Sequence, residues 1–275
     1  MGLSINTNTA ALNAYRNLST TQNDLSKSLE KLSSGFRINR AADDAAGLAI
    51  SEGMRSQMGG IKVGVRNAQD AISVVQTAEG ALNETTSILQ RMRDLTVQGG
   101  NEGSLTTAAA ANIQAEITAL TTTLNDIAAN TKFNGTELLD GTYSATFQVG
   151  ANGGETVAVA VGTAMTATGL GIGAMAAIDG TNATATTNLG LIDTAIGTVS
   201  TTRASLGAKQ NQLDHVINNA NVALENVTAS ESRIRDTDMA SEMVSFTRSQ
   251  ILSQAGTAML AQAKSIPQGV LQLLQ

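Results

Sequence analysis

The chain has 275 residues and a net charge of −6, and its basic and acidic side chains are interspersed, which disfavours a nucleic-acid-binding surface. Aromatic residues make up 2% of the chain although apolar residues make up 42%. Because aromatic side chains bury the largest areas, this composition is typical of long packed helices rather than of a thick globular core. Cysteine is absent, which excludes disulfides and thiolate metal sites.

The N-terminal segment predicts a helix whose apolar residues follow a heptad repeat. Steps of three and four residues begin at Tyr15 and place these side chains on one narrow face: Leu18, Leu25, Leu29, Leu32 and Phe36. A face of two residues per heptad stabilises a helix only when partner helices cover it. The repeat therefore predicts a subunit of an assembly more readily than an enzyme.

A second apolar repeat predicts a long helix from about Asp44 to Gln98, which Gly99-Gly100 would end through a left-handed cap. Ser104 is the predicted N-cap of a third helix that ends near Ile127. A fourth helix, predicted over about 186–234, matches the second in length and period. We expect the two long helices to pack antiparallel, bridged by the third helix.

Between the third and fourth helices, the pattern changes to short strands. Asn134-Gly135 and Asp140-Gly141 are turn dipeptides, and the apolar residues of 143–149 and 156–161 alternate with period two. This predicts a small β-hairpin region at about 133–182. No element is assigned within residues 162–182.

The C-terminal segment repeats the heptad pattern of the N-terminal one. Asp238 is a predicted N-cap, and the apolar positions that follow include Met259, Ala263, Ile266, Val270 and Leu273. From Ser249 onward there is one charge, Lys264. Because a solvated helix normally carries charges on its outer face, this segment predicts a helix covered by protein on most sides. We expect both termini to be disordered in the free monomer.

Two long motifs resemble the terminal signatures of bacterial flagellin. Residues 28–50 read SLEKLSSGFRINRAADDAAGLAI, and residues 250–263 read QILSQAGTAMLAQA, followed by IPQ at 266–268. The resemblance covers about 1–135 and 185–275. It implies a mainly α fold: a long antiparallel coiled-coil or helical bundle with a small β-hairpin region, whose terminal helices pair in the assembled filament. About fifty residues separate Phe133 from the fourth helix, which indicates a minimal form without variable outer domains.

The resemblance also implies a function, a location and partners. The chain would be a secreted structural subunit that polymerises into the extracellular flagellar filament used for swimming. Residues 1–43 with 237–275 would form the inner domain and residues 44–236 the outer one. Implied partners are further copies of the chain, an export chaperone, the type III export apparatus, and the hook-associated and cap proteins.

Residues 89–98 resemble the flagellin segment that Toll-like receptor 5 senses. The resemblance implies a role for Arg91 and Leu95 within this segment and for Glu116 in residues 113–117. The alternative is that this segment is an exposed helical stripe used for subunit contacts. Both interpretations are compatible, because a receptor can bind an assembly surface.

No catalytic, cofactor or metal site is predicted. His215 is the only histidine and lacks a motif around it. Asp43, Asp44, Asp236 and Asp238 are interpreted as helix-initiating caps. The chain contains no uninterrupted apolar run of about 18 residues, so no membrane span is predicted. Two alternatives to a filament subunit stay open here: a hook–filament junction protein, which shares related terminal helices, and a membrane-active amphipathic protein.

Overall fold

The fold of the computed structural model is mainly α, as predicted. The structure describes residues 8–103 and 105–273, and it places the side chains of the last helix as far as Ser265. The described elements are five helices, two β-hairpins and one short 3-10 helix at Ile172–Ala174. The helices are α1 Thr9–Ser34, α2 Ala45–Gly99, α3 Thr107–Asn130, α4 Asn182–Arg235 and α5 Met239–Leu273. The strands are β1 Lys132–Phe133, β2 Thr136–Glu137, β3 Tyr143–Gln148 and β4 Thr156–Val161.

Side-chain caps fix several helix ends where the sequence predicted them. The Asp44 carboxylate accepts a hydrogen bond from the Gly47 amide at 2.8 Å, and α2 begins at the next residue. Asp238 accepts from the Ala240 amide at 2.9 Å and begins α5, which confirms its predicted role. Gly35, with φ +76°, ends α1 in the left-handed conformation that glycine adopts at little cost.

Other predicted caps are wrong. Ser104 lies outside the described residues, and α3 is capped by Thr106, whose hydroxyl accepts from the Ala109 amide at 3.2 Å. Gly99 and Gly100 do not have positive φ, so they do not form a left-handed cap. They allow close packing instead, because a Cβ on either one would lie 2.7 Å from a side-chain carbon of a neighbouring segment.

The helix α4 begins at Asn182, about four residues earlier than predicted. The turn before it is held by Asp179, whose carboxylate accepts hydrogen bonds from the Thr181 amide at 2.9 Å and from the Thr181 hydroxyl at 2.7 Å. Short polar side chains that bond to nearby backbone favour such turns at helix entrances.

Both hairpins are antiparallel. The first confirms the predicted turn at Asn134-Gly135, although its two short strands were not predicted, and the second confirms the two predicted strands. Asn134 and Gly135 have φ of +49° and +82°, as a two-residue turn between twisted strands requires. In the second hairpin, Tyr143 pairs with Val161 and Gln148 with Thr156. Alternate residues of β4 are buried, so one face of this hairpin packs on the core. Residues 162–182, for which nothing was predicted, add Met165, Leu170 and Ile172 to that core.

The chain divides into two compact units, which we call the bundle unit and the terminal unit. The bundle unit spans 57–225 and holds the main hydrophobic core. Its fully buried large side chains include Leu82, Leu89, Met92, Leu124, Leu139, Met165, Ile192 and Leu206. The terminal unit comprises the described parts of 1–56 and 226–275. The predicted domain boundaries, after residue 43 and before residue 237, coincide with helix breaks and stay a prediction.

Candidate functional site

Within the terminal unit, α1 packs against α5 through a narrow seam of small side chains. The buried and half-buried residues of α5 recur at heptad spacing, and most are small: Ser245, Ser249, Ser253, Gly256 and Ala263. Leu18 of α1 faces this seam, since a Cβ on Gly256 would lie 3.2 Å from the Leu18 Cδ1 atom. At the far end of the seam, the Asn8 side-chain amide donates to the Ala263 carbonyl at 2.8 Å.

A second set of contacts joins the two connectors that lead into these helices. The Arg37 amide donates to the Arg235 carbonyl at 2.6 Å, and the Thr237 amide donates to the Gly35 carbonyl at 3.0 Å. The guanidinium of Arg235 lies 4.8 Å from the ring centroid of Phe36. We call this arrangement the clasp. It fixes the point from which α1 and α5 pair.

Charged side chains support the clasp. Arg235 contacts a carboxylate oxygen of Glu52 at 2.8 Å, and the Arg235 side chain is only 11% exposed. Lys31 lies 3.7 Å from Glu242, which links the end of α1 to the beginning of α5. A partly buried arginine that combines ring stacking with a charge-assisted hydrogen bond is held more firmly than an exposed ion pair.

Large apolar side chains are also exposed on α5 outside the seam, among polar residues such as Gln250 and Gln254. They form three exposed pairs, spaced four or seven residues apart along the helix, and we call them the α5 stripes: Met239 with Met243, Val244 with Ile251, and Leu252 with Met259. Their exposure lies between 48% and 64%. Several exposed large apolar side chains on one helix are typical of a surface that another protein covers. As a monomer, this protein leaves α5 far more exposed than its sequence suits.

The helix α1 adds exposed apolar side chains of its own, at Leu12, Tyr15 and Leu29. The sequence prediction missed most of the α5 stripes because it followed a single heptad face. The absence of charge after Ser249, from which the sequence predicted a helix covered on most sides, agrees with the exposed Ile251, Leu252 and Met259. The earlier stripe residues lie in a stretch that carries Glu242 and Arg248, so charge gave no signal for them.

The structure splits the predicted heptad residues into two groups. Leu18 is buried, and Leu25, Leu32 and Phe36 are half-buried in the terminal unit. Leu29 and Met259, which were predicted to lie in the same seam, are exposed by 51% and 64%. Small residues let α1 and α5 approach closely and leave these two larger side chains outside the contact within one subunit. Their role in the assembly seam therefore stays a prediction about contacts between subunits. The side chains of Ile266, Val270 and Leu273 lie outside the described ones.

In the bundle unit, Arg91 and Glu116 form an exposed ion pair between α2 and α3. The Arg91 Nη2 atom lies 2.6 Å from the Glu116 Oε1 atom, and both side chains are well exposed. Leu95 is 2% exposed and belongs to the core, so it does not share the exposed surface of this pair, and its role in receptor recognition stays a prediction. A similar exposed pair, Arg93 with Asp193, joins α2 to α4 at 2.8 Å.

The acidic residues serve turns and helix ends. Amide hydrogen bonds from Arg40 and Asn39 hold the pKa of Asp43 below its usual range, so Asp43 stabilises a connector turn and not a helix start as predicted. Asp236 likewise caps no helix and accepts from the Ser232 hydroxyl. Hydrogen bonds from Thr181 lower the pKa of Asp179 in the same way.

The described residues show no arrangement typical of catalysis. A cavity of about 970 Å³ in the bundle unit is lined by His215 together with Asn211, Gln212 and Glu155, without a nucleophile–base pair among them. No group of three or more potential ligand side chains is placed to hold a metal ion in the part of the chain that the structure covers. Among the described helices, none is long and apolar enough to cross a membrane.

Comparison with known proteins places these features in a family. Residues 5–144 match the family model described as "Bacterial flagellin N-terminal helical region". Residues 189–274 match the one described as "Bacterial flagellin C-terminal helical region". The chain is 49% identical to a flagellin of Bacillus subtilis and 50% identical to a flagellin of Halalkalibacterium halodurans, each over 98% of this chain and 99% of the relative. The crystal structure of Bacillus cereus flagellin is 32% identical, with a TM-score of 0.50 over 56% of this chain and 88% of that chain.

Proposed function

Because this chain belongs to the bacterial flagellin family, in a minimal form, and is a structural subunit of the flagellar filament rather than an enzyme, we propose that α1 and α5 supply the contacts that polymerise it. The membership favours this assignment over a junction protein or a membrane-active protein. In the proposed arrangement, residues 1–43 and 237–275 form the inner domain of the filament and residues 44–236 the outer domain.

The α5 stripes are the observation that carries this proposal. Fully burying one such side chain is worth about 1.5–3 kcal/mol, so a side chain that is half exposed can still contribute about 1 kcal/mol when a neighbouring subunit covers it. The described terminal unit buries only three apolar side chains internally, Leu18, Ile38 and Ala263. The six side chains of the stripes therefore offer a neighbouring subunit a substantial additional surface for apolar burial.

In the proposal, polymerisation through these faces produces an open filament. A stripe of one subunit would pack against a different surface of the next subunit, such as the exposed apolar side chains of α1. Repetition of such a heterologous contact generates a helix when the rotation does not close. Small discrete changes in the packing of helix faces would allow the filament to supercoil.

The same faces imply partners before assembly. A free subunit that exposes three apolar stripes needs cover, which an export chaperone would supply. Export through a type III apparatus, passage past the hook-associated proteins and folding beneath the cap protein are part of the same proposal. Ordering of the terminal helices and polymerisation would then be coupled, because the thin seam alone stabilises them weakly.

Substitutions within the stripes test the assembly role. Ile251→Gln combined with Leu252→Gln should abolish growth of purified subunits onto filament fragments, measured by sedimentation and electron microscopy. The matched control, Ile251→Leu with Leu252→Met, keeps both positions apolar and should polymerise. Normal growth of the glutamine variant, or of a chain ending before Ser249, would contradict the proposal.

A second function is supported by the exposed Arg91–Glu116 pair, which we propose as part of the surface that Toll-like receptor 5 contacts. An exposed pair of opposite charges on two neighbouring helices suits recognition by a partner of complementary charge. Leu95 would act only indirectly, by holding α2 in place against the core.

The pair Arg93–Asp193 provides a matched control for this test, because it has the same geometry and similar exposure on the same helix. Arg91→Ala with Glu116→Ala should reduce signalling in a receptor reporter assay, whereas Arg93→Ala with Asp193→Ala should reduce it less. Equal signalling from both folded double variants would sink the receptor proposal and leave the assembly proposal untouched.

A further inference from the structure

The methionines fall into three classes of exposure. Of the nine in the chain, all except Met1 lie in the described residues. In the bundle unit, Met92 and Met165 are fully buried. Three others are half-buried: Met54, Met58 and Met175. The exposed class consists of Met239, Met243 and Met259, at 48%, 50% and 64%, and all three lie on the α5 stripes.

We propose that Met239, Met243 and Met259 form an oxidation-sensitive set, and that their conversion to sulfoxides by a hydroperoxide prevents the free subunit from polymerising. This inference rests on the proposed role of α5 in assembly. In each step the thioether sulfur donates an electron pair to one peroxide oxygen. A sulfur–oxygen bond forms, the oxygen–oxygen bond breaks, and water leaves when the oxidant is hydrogen peroxide. Sulfur loses two electrons and the peroxide gains them.

The chemistry of the stripes explains why this change would matter. A sulfoxide is a polar group with a strong hydrogen-bond acceptor, whereas the thioether is an apolar gap-filler. Three of the four residues one helical turn from Met259 have no side-chain donor: Ala255, Gly256 and Ala263. The fourth, Gln262, has one amide group, which also serves the polar surface beside the stripe. Water satisfies the sulfoxide in the free subunit, but packing against another apolar face would leave it unpaired.

The sensitivity would belong to the free subunit alone. In a filament the same three side chains would be covered, and a peroxide could not reach them. Oxidation would therefore remove subunits from the pool that feeds growth and leave existing filaments intact. Because reductases convert methionine sulfoxide back to the thioether at the expense of thiols, the loss would be reversible.

The test uses the full-length subunit and graded hydrogen peroxide. Peptide mass spectrometry should find sulfoxide first at Met259, Met243 and Met239, and last at Met92 and Met165. Treated subunits should need a concentration about tenfold higher, or more, to grow on filament fragments. Repair with the two stereospecific methionine sulfoxide reductases and a thiol should restore growth of the wild-type protein.

A matched variant separates these methionines from the rest of the chain. Met239→Leu, Met243→Leu and Met259→Leu together keep the stripes apolar, so the treated variant should polymerise like the untreated one. Normal growth of wild-type subunits oxidised at all three positions would overturn the inference, as would failure of the reductases to restore growth. If untreated wild-type subunits do not grow, the proposed function itself fails, which is a distinct outcome.

Discussion

At Gly64, the end of the second hairpin approaches α2 so closely that no side chain fits between them. A Cβ at this position would lie 2.6 Å from the Val149 carbonyl oxygen, and one at Gly60 would lie 2.8 Å from the Ala151 Cβ atom. Each glycine costs a helix about 1 kcal/mol relative to alanine. The close approach of the hairpin offsets this cost, and the Asn67 side chain secures it by donating to the Gln148 carbonyl at 2.8 Å.

Alanine substitutions at two glycines of α2 should therefore have opposite effects. Gly64→Ala should lower the free energy of unfolding by about 1–3 kcal/mol, because the hairpin backbone must move away. Gly59→Ala, where nothing lies within 4 Å of the added carbon, should raise it by about 0.5–1 kcal/mol. Urea unfolding of both variants measures the difference, and equal shifts would show that the contact at Gly64 is unimportant.

Asp179 should contribute to stability in a pH-dependent manner. Hydrogen bonds from Thr181 and Thr184 hold its pKa below the usual value, so the folded state favours the carboxylate. This contribution is present above the unfolded pKa of about 3.9 and is lost as the pH falls through the lower folded pKa. Asp179→Asn should destabilise the protein at neutral pH, and its deficit relative to the wild type should shrink below about pH 3. Thermal unfolding at the two pH values checks this.

At the scale of elements, the pairing of α1 with α5 depends on residues that are small rather than on residues that are large. Gly256 and three serines let the helices approach, and the bulky apolar side chains remain for other contacts. Such a seam holds two helices in one register without stabilising them strongly, since few large side chains are buried.

A substitution and its compensation test this seam. Gly256→Val should reduce filament growth, because the new side chain meets Leu18 at a position that already allows only 3.2 Å for a Cβ. Leu18→Ala in the same chain should restore part of the growth by making room. Sedimentation of filaments grown from each variant measures both effects. Loss of growth in the double variant equal to the sum of the single losses would mean that the two residues do not meet in the filament.

Patterns within one helix were predictable from the sequence, whereas the choice between neighbouring faces was not. The heptads located α1 and α5, alternation located β3 and β4, and Asp44 and Asp238 marked helix starts. The sequence could not separate Leu29 from Leu25, since both lie on one apolar arc and only the position of α5 decides which is covered. The burial of Leu95 was likewise not predictable from a short motif, because it depends on how other helices pack against α2.

For the molecule as a whole, apolar burial is distributed unevenly. The bundle unit has a continuous core drawn from α2, α3, α4, the hairpins and residues 162–178. The terminal unit relies on its seam and its clasp. Weakly packed helices open more often than well-packed ones, so their backbone amide hydrogens exchange with solvent faster. Amide exchange therefore reports which part of the chain is less stable.

Hydrogen exchange should therefore separate the two units in the free subunit. Amides of α1 and α5 should exchange at least about tenfold faster than those of α3, and polymerisation should slow α1 and α5 far more than it slows α3. Mass spectrometry of free and polymerised protein gives both rates. Equal protection of α1 and α3 in the free subunit would contradict the view that assembly, and not the monomer, stabilises the terminal helices.

The clasp has an evolutionary consequence. The backbone hydrogen bonds of Gly35 and Arg37 to Thr237 and Arg235 fix the register of α1 with α5. They fix it whatever the length of the chain between the two connectors. Roughly two hundred residues separate the two connectors. The hydrogen bonds of the clasp do not depend on how many residues lie between them. Insertions or deletions between the connectors can lengthen or shorten a descendant protein while the pairing of its two ends is inherited unchanged.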